Sequence, residues 1–272
     1  MRWINTKPSR SVQLALAVLP FVLLVIAYLV GSAIRLSDNP SDKLLPSLAA
    51  LGDAINRMAF LPDPRTGDYL LWSDTAASLS RLFWGLGIST ITALLIGMIV
   101  GMLPFARALL APVIAMIAMV PPLALLPILF ILLGLGETAK IALIVIGVAP
   151  TMVRDLTLKV LDLPREQIVK AETLGGSSWQ IALRVVLPQT LPRLITCLRL
   201  QLGPAWLFLI AAEAISSDAG LGYRIFLVRR YLAMDVIFPY VAWITLLAVL
   251  TNFLLDRLQL VVFPWSKAGQ PS

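Results

Sequence analysis

Two groups of residues in this 272-residue chain have the types and spacing to carry function. The first is the polar interval Val169 to Pro192, VKAETLGGSSWQIALRVVLPQTLP, set between long apolar runs. The second lies inside those runs: Pro121, Pro122, Pro127, Thr151, Arg199, Gln201, Trp206, Glu213 and Asn252. What is missing limits their chemistry. There is no His, and the single Cys197 sits in an apolar run, which removes zinc sites, Cys/His nucleophile pairs and intrachain disulfides. No G-x4-G-K-[ST] phosphate loop occurs either, so ATP hydrolysis of that kind needs another chain. No metal or cofactor is expected on this one.

The polar interval reads as helix, bend, helix. Pro164 suits a first helical turn, Arg165 to Leu174 are mostly good helix formers, and Gly175-Gly176 ends that helix in a left-handed turn. Ser177 or Ser178 then caps a second helix, Trp179 to Leu187, which stops where Pro188 lacks a backbone N–H. Trp179, Ile181 and Val185 supply its apolar face. A compact hairpin with a basic rim is predicted, and an ordinary interhelical loop has the same local features.

The elements that position these residues are membrane helices. A hydrophobic content of 59%, only 14% charged residues and a mean hydropathy of +0.88 describe an all-α integral membrane protein. The net charge of +7 does not read as nucleic-acid binding, because the basic residues flank apolar runs and form no aromatic-interleaved patch. About six spans are expected. Residues 1–13 form a basic cytoplasmic tail and 14–34 the first span, a retained anchor whose core of about 20 residues crosses ~30 Å of hydrocarbon. Residues 35–81 form an extracytoplasmic segment, in which Leu48, Leu51, Ile55 and Met58 predict an amphipathic helix and Pro62, Pro64 and Gly67 a turn. It ends in the start of a second helix capped by Asp74 or Thr75. A five-helix core covers 82–265, with spans near 82–103, 109–133, 141–153, 191–212 and 237–255 and the hairpin at 160–190. Residues 266–272 form a second cytoplasmic tail.

Inside the spans, Gly97 and Gly101 make a small-x3-small face for close helix contact. The prolines between Pro112 and Pro127 kink the third span, either for packing or as part of a gate. Lys140 and Arg154 flank a short fourth span and must snorkel. Arg199 either snorkels, pairs internally or lines a pathway, and Glu213 is expected to pair with Arg224, Arg229 or Arg230. Thr151, Gln201, Trp206 and Asn252 serve helix packing or line a pathway.

The spacing of Ala171, Gly175, Val185 and Leu187-Pro188 resembles the E-A-A-x3-G-x9-I-x-L-P loop of bacterial ABC importer permeases. Val169 and Lys170 stand where that family prefers Glu and Ala, and Glu172 lies three residues beyond the expected acid. VPPLALLP at Val120 to Pro127, GLGETAK at Gly134 to Lys140, LRLQLGPAW at Leu198 to Trp206, and GLGY at Gly220 to Tyr223 extend the resemblance to the nitrate/sulfonate/taurine branch. It implies a type I importer fold, a permease homodimer in the bacterial inner membrane with both termini cytoplasmic, two cytoplasmic ATPases holding ATP and Mg, and an extracytoplasmic substrate-binding protein. It further implies that Ala171, Glu172, Gly175, Gly176, Ser177, Ser178, Trp179, Leu187 and Pro188 belong to an ATPase-coupling loop. A stand-alone secondary transporter or channel is the competing reading. It needs a mid-membrane carboxylate or an inverted repeat, and the sequence offers neither. A membrane enzyme has only Ser or Lys nucleophiles to work with.

Overall fold

The structure is a computed structural model that describes residues 9–40 and 42–267. The remainder of the two expected tails, 1–8 and 268–272, lies outside the described residues. Among these residues there are helices and no strand. Contacts divide the chain into two units, Met1–Tyr69 with Val228–Pro239 and Leu70–Leu227 with Tyr240–Ser272.

In the first unit, α1 (Arg10–Asp38) carries the expected first span, and its apolar side chains are almost all exposed, as a lipid-facing helix requires. A short helix, α2 (Leu48–Ala59), follows Ser47, whose hydroxyl accepts from Ala50 N at 3.2 Å and caps it. Its buried face is built from Ala54 and Ala59, while Leu48 and Ile55 of the predicted apolar stripe point outward. Tyr28 donates to Pro46 O at 2.7 Å and Ser32 to Leu45 O at 2.9 Å, tying α1 to the segment before α2. Arg35 pairs with Asp42 and holds that carboxyl below its ordinary pKa by hydrogen bonding. Asp63 accepts from Arg65 N and Thr66 N, which makes the turn the Pro and Gly residues predict.

The second unit is organised on two helices, α3 (Leu70–Met102) and α6 (Glu137–Leu161). Gly85 meets Ile144, Gly97 meets Leu156 and Gly101 meets Val160, at a constant sequence offset, so the two helices run parallel. A Cβ on Gly101 would lie 2.5 Å from Val160 Cβ, which no real contact tolerates. Between them the chain returns through α4 (Pro104–Ile117) and α5 (Leu126–Leu133), separated by a single 3₁₀ stretch, Pro122–Leu125. The axes of the two halves are bent by 81°. Pro121 and Pro122 cannot donate to a continuous helix, so the third span is broken rather than only kinked.

Beyond α6 come α7 (Arg165–Thr173), α8 (Ser178–Ile181), a π-turn at Ala182–Val186, α9 (Leu187–Leu200), α10 (Leu202–Ile215), α11 (Leu221–Arg229) and α12 (Met234–Val262). Among the described residues five stretches are long and apolar enough to cross a membrane, and there are six if the bent pair α4/α5 is counted as one span.

Three local expectations need correction. Asp74 and Thr75 do not cap the second span. The helix already begins at Leu70, Thr75 donates to Leu71 O at 2.6 Å within it, and Asp74 is wholly buried in tertiary contacts. The fourth span is not the short Ile141–Val153 segment but the whole of α6, because Lys140 is buried in an ion pair with Glu137 instead of snorkelling. The fifth span is divided at Gln201, with α9 on one side and α10, of the same 14-residue length, on the other.

The α3/α6 contact gives a paired test. Gly101→Ala should lower the apparent thermal midpoint of the detergent-purified chain by the equivalent of about 1–3 kcal/mol. Gly87→Ala, where a Cβ meets nothing within 4 Å, should leave it unchanged or slightly raised.

Candidate functional site: a glycine-bent hairpin and the helices behind it

The hairpin is closed by backbone geometry that only its glycines permit. Gly175 adopts φ +81°, its N–H donates to Glu172 O at 2.9 Å, and Gly176 N donates to Ala171 O at 3.0 Å. These two bonds are the paired C-terminal cap of a helix ending in a left-handed residue, here α7. A side chain on Gly176 would place Cβ 2.8 Å from Ala171 O, so both positions need glycine for different reasons. Ser177, not Ser178, is the cap of the next helix: Gln180 N donates to Ser177 Oγ at 3.3 Å and Ser177 N donates to Gln180 Oε1 at 2.9 Å.

Pro188 does not end that helix, contrary to the sequence expectation. The π-turn Ala182–Val186 absorbs the missing N–H, and helix continues from Ser178 through to Leu200. Leu187 and Pro188 therefore lie half-buried in a running helix. Ile181 and Val186 pack with Val160 and Leu163 in a buried cluster, against which Met98, Met102, Ile168, Ala171 and Val185 lean. Gln189 Nε2 donates to Gln167 Oε1 at 2.9 Å and links α9 to α7. The rear of the hairpin is thus fixed to the ends of α3 and α6.

Its tip is different. Leu174 is 80% exposed and Trp179 is 72% exposed, so Trp179 does not share the buried face with Ile181 as its spacing suggests. Glu172 is exposed and forms no ion pair among the described residues. Leu174 was not singled out from the sequence. Its signal is a leucine at the C-cap directly before two glycines, where neither helix can cover it.

The candidates inside the spans separate into distinct settings. Pro121, Pro122 and Pro127 sit at the break between α4 and α5, with Pro121 and Pro127 exposed. Arg199 donates to Asn252 Oδ1 at 3.0 Å and to Asp256 Oδ1 at 2.5 Å, so two of the candidates are brought together in a bridge from α9 to α12. Thr151 donates to Val148 O within α6, Gln201 marks the α9/α10 break, and Trp206 is buried with its indole N–H unpaired among the described residues.

Glu213 pairs with Arg81, not with the arginines that follow it. Its Oε1 accepts from Ser78 Oγ and Arg81 Nη1, both at 2.7 Å, and its Oε2 from Gly222 N at 2.8 Å. Arg81 also holds Glu137 at 2.8 Å and Ala219 O at 2.8 Å, while Lys140 holds Glu137 at 2.9 Å. Arg224 instead binds Asp74 at 2.8 Å, where Tyr240 donates at 3.1 Å and Gly220 N at 2.9 Å. Asp74, Ser78 and Arg81 recur at helical spacing on one face of α3, and that i, i+4, i+7 polar stripe was the legible signal for this layer.

A long-helix bundle with one broken span and a capped polar hairpin at its end is what a family comparison then has to match. The family model described as a binding-protein-dependent transport system inner membrane component matches residues 93–267, from the middle of α3 through α12. The chain belongs to that family. It is an ABC transporter permease of the importer type and a multi-pass inner membrane protein. It is 36% identical over 198 residues to the taurine transport system permease protein TauC of Escherichia coli K12, covering 73% of this chain and 72% of TauC. A second relative is the putative aliphatic sulfonates transport permease protein SsuC of the same organism, 31% identical over 198 residues, 73% of this chain and 75% of SsuC. Among solved structures, a chain of the inward-facing MetNI methionine ABC transporter superposes with a TM-score of 0.58 at 22% identity, over 71% of this permease and 95% of that chain. The permease therefore has the type I importer fold.

The hairpin cap is testable on its own. Gly175→Val forces a β-branched residue into the left-handed region and should destabilise the bend by about 1–2 kcal/mol. Limited proteolysis should cut near Thr173–Ser178 faster in that variant, with the helix content of the chain unchanged.

Proposed function

We propose that this permease is the membrane half of an ATP-driven importer, and that the Val169–Pro192 loop is the element that couples it to the motor. Two copies of the permease form the translocation pathway, two cytoplasmic ATPase subunits carry ATP and Mg, and an extracytoplasmic binding protein delivers the solute. Both termini and the hairpin then face the cytoplasm. The observation that carries this reading is the exposure of Leu174 and Trp179 on a hairpin whose opposite side is buried. Two large apolar side chains left uncovered, Leu174 at the turn and Trp179 beside an apolar groove against α3, are suited to contact with another protein. Glu172, exposed two residues before Leu174 and without an ion pair among the described residues, offers a carboxylate to a basic residue of that partner.

Because Ile181 and Val186 join the hairpin to α3 and α6, displacement of the tip by closing ATPases is passed to those helices as a lever. The helix path is interrupted at Pro121–Pro127, where the two halves bend by 81°, and rearrangement there opens one side of the membrane and then the other. The relatives are named for taurine and aliphatic sulfonates, and a small solute of that size is the proposed cargo.

The test is retention of the ATPase subunit encoded with the permease during purification in mild detergent. Leu174→Asp combined with Trp179→Asp should lose most of the bound ATPase and at least ten-fold of substrate-stimulated hydrolysis, while monodispersity and thermal midpoint of the permease stay the same. Full retention by that variant would remove the hairpin from the coupling role.

A further inference from the structure

Among the described residues, α2 has three faces of different character. Leu51, Ala54 and Met58, at i, i+3 and i+7, are buried or half-buried. Asp53, Asn56 and Arg57 form an exposed polar face, from which Arg57 reaches Asp235 in the first turn of α12 at 3.1 Å. The third face, Leu48, Gly52 and Ile55 at i, i+4 and i+7, is apolar and exposed, with Leu48 at 62% and Ile55 at 43%. A Cβ on Gly52 would meet nothing within 4 Å, so this face is open along its length. An apolar stripe next to a polar one is the pattern of a helix whose second side is covered by something other than water.

Hydroxyl groups of α1 fix the depth at which α2 begins. Ser32 Oγ donates to Leu45 O at 2.9 Å and lies 3.2 Å from Pro46 O, and Tyr28 donates to Pro46 O at 2.7 Å. Ser32 stands three residues before Arg35 and six before the end of α1 at Asp38, about 4.5 Å and 9 Å back along the axis. After leaving α1 the chain therefore doubles back, and α2 begins beside Ser32 rather than beyond the charged end of the span. At that level Val30 and Ile34 are exposed apolar side chains of the lipid-facing helix. A second yardstick agrees. Tyr28 packs edge-on against Phe238 with ring centroids 5.6 Å apart, and Phe238 lies three residues further into α12 than Asp235, the partner of Arg57 near the other end of α2. The non-helical residues before α2 also carry the marks of backbone removed from water. The Leu45 and Pro46 carbonyls accept from α1 hydroxyls, Pro46 has no N–H, Leu44 N donates to Asp42 Oδ1 at 3.1 Å, and Ser47 caps the first turn.

We propose that α2 is an interfacial helix whose Leu48, Gly52 and Ile55 face rests in the acyl-chain edge of the leaflet around the end of α1. Helices of this kind sink their apolar face about 5–10 Å into the headgroup and acyl boundary, the range in which the start of α2 lies below the end of α1. The occupant is lipid because the open face continues, at the same level, the exposed apolar side of α1. The charged groups are placed to match: Arg35 and Asp42 pair near the end of the span, and Asp53, Asn56 and Arg57 are left on the side facing water. Through Ser32 and Tyr28 at one end and Arg57 at the other, α2 joins α1 to the first turns of α12, so its seat in the interface sets the depth of both spans. The inference rests on α1 as a membrane span and is independent of the importer mechanism.

The experiment uses the full-length permease in vesicles of phosphatidylethanolamine and phosphatidylglycerol. Single cysteines are placed in a Cys197→Ala background and carry a nitroxide label: Leu48→Cys, Gly52→Cys and Ile55→Cys on the open face, Asp53→Cys and Asn56→Cys on the polar face, and Ile34→Cys as the lipid-facing reference on α1. All six positions are exposed, so the label fits without repacking. Electron paramagnetic resonance then compares accessibility to oxygen, which partitions into lipid, with accessibility to a water-soluble nickel chelate. The oxygen-to-nickel ratio at positions 48, 52 and 55 should approach that at position 34 and exceed that at positions 53 and 56 by about ten-fold. A nickel-dominated response at 48, 52 and 55 would put that face in water, and exclusion of both reagents would mean that a second copy or another protein covers it. Either result overturns the proposal, and neither bears on the coupling role of the hairpin.

Discussion

The interaction on which the second unit most depends is the burial of Arg81 between Glu213 and Glu137. The Glu213 side chain is fully buried and that of Arg81 nearly so, while Glu137 remains open to solvent. Removing such charges from water costs several kcal/mol per ion, and the arrangement persists only because nearly every oxygen and N–H of the group has a partner. Those partners come from α3, α6, α10 and the turn before α11, so one guanidinium joins three regions that are far apart in sequence. Gly220 follows from the same constraint. At φ +134°, with Glu213 Cδ 2.6 Å from where a Cβ would stand, no other residue lets the turn approach the carboxylate.

This layer clamps one end of the parallel α3/α6 pair, and the glycine contacts at Gly97 and Gly101 close the pair toward the other end, where the hairpin packs. Between the two ends Gly85 against Ile144 continues the same close contact. The broken α4/α5 segment has no comparable fastening: no residue of α4 is buried, and α5 buries only Leu126 and Leu129. A closely packed pair beside a sparsely packed break is the division that the proposed lever and gate would require.

What the sequence made legible was local. The hairpin was readable because a left-handed glycine, a serine cap and the helix formers before them act within a few residues of one another. The close α3 face was readable because Gly97 and Gly101 have few other uses at that spacing. What stayed hidden depended on tertiary partners. Lys140 and Asp74 looked like boundaries of spans because isolated charges are expelled from a membrane, yet each is buried against groups more than seventy residues away, Lys140 on Ser217 and Asp74 on Arg224. Pro188 looked like a helix stop, but packing of Ile181 and Val186 sustains a π-turn that carries the helix past it. Trp179 was placed on the buried face by its period, and the tight cap at Ser177 turns it out instead.

The most direct measurement is a double-mutant cycle on Arg81 and Glu213, read as the apparent unfolding midpoint of the purified permease. If the buried pair is the clamp, Arg81→Met and Glu213→Met each strand a charge and should each cost about 3–5 kcal/mol. The double variant removes both charges and should then recover much of either single loss. Single losses that are small, or that add in the double variant to within about 0.5 kcal/mol, would mean that the helices are held together by other contacts and that the ionic layer is not the constraint on which the bundle rests.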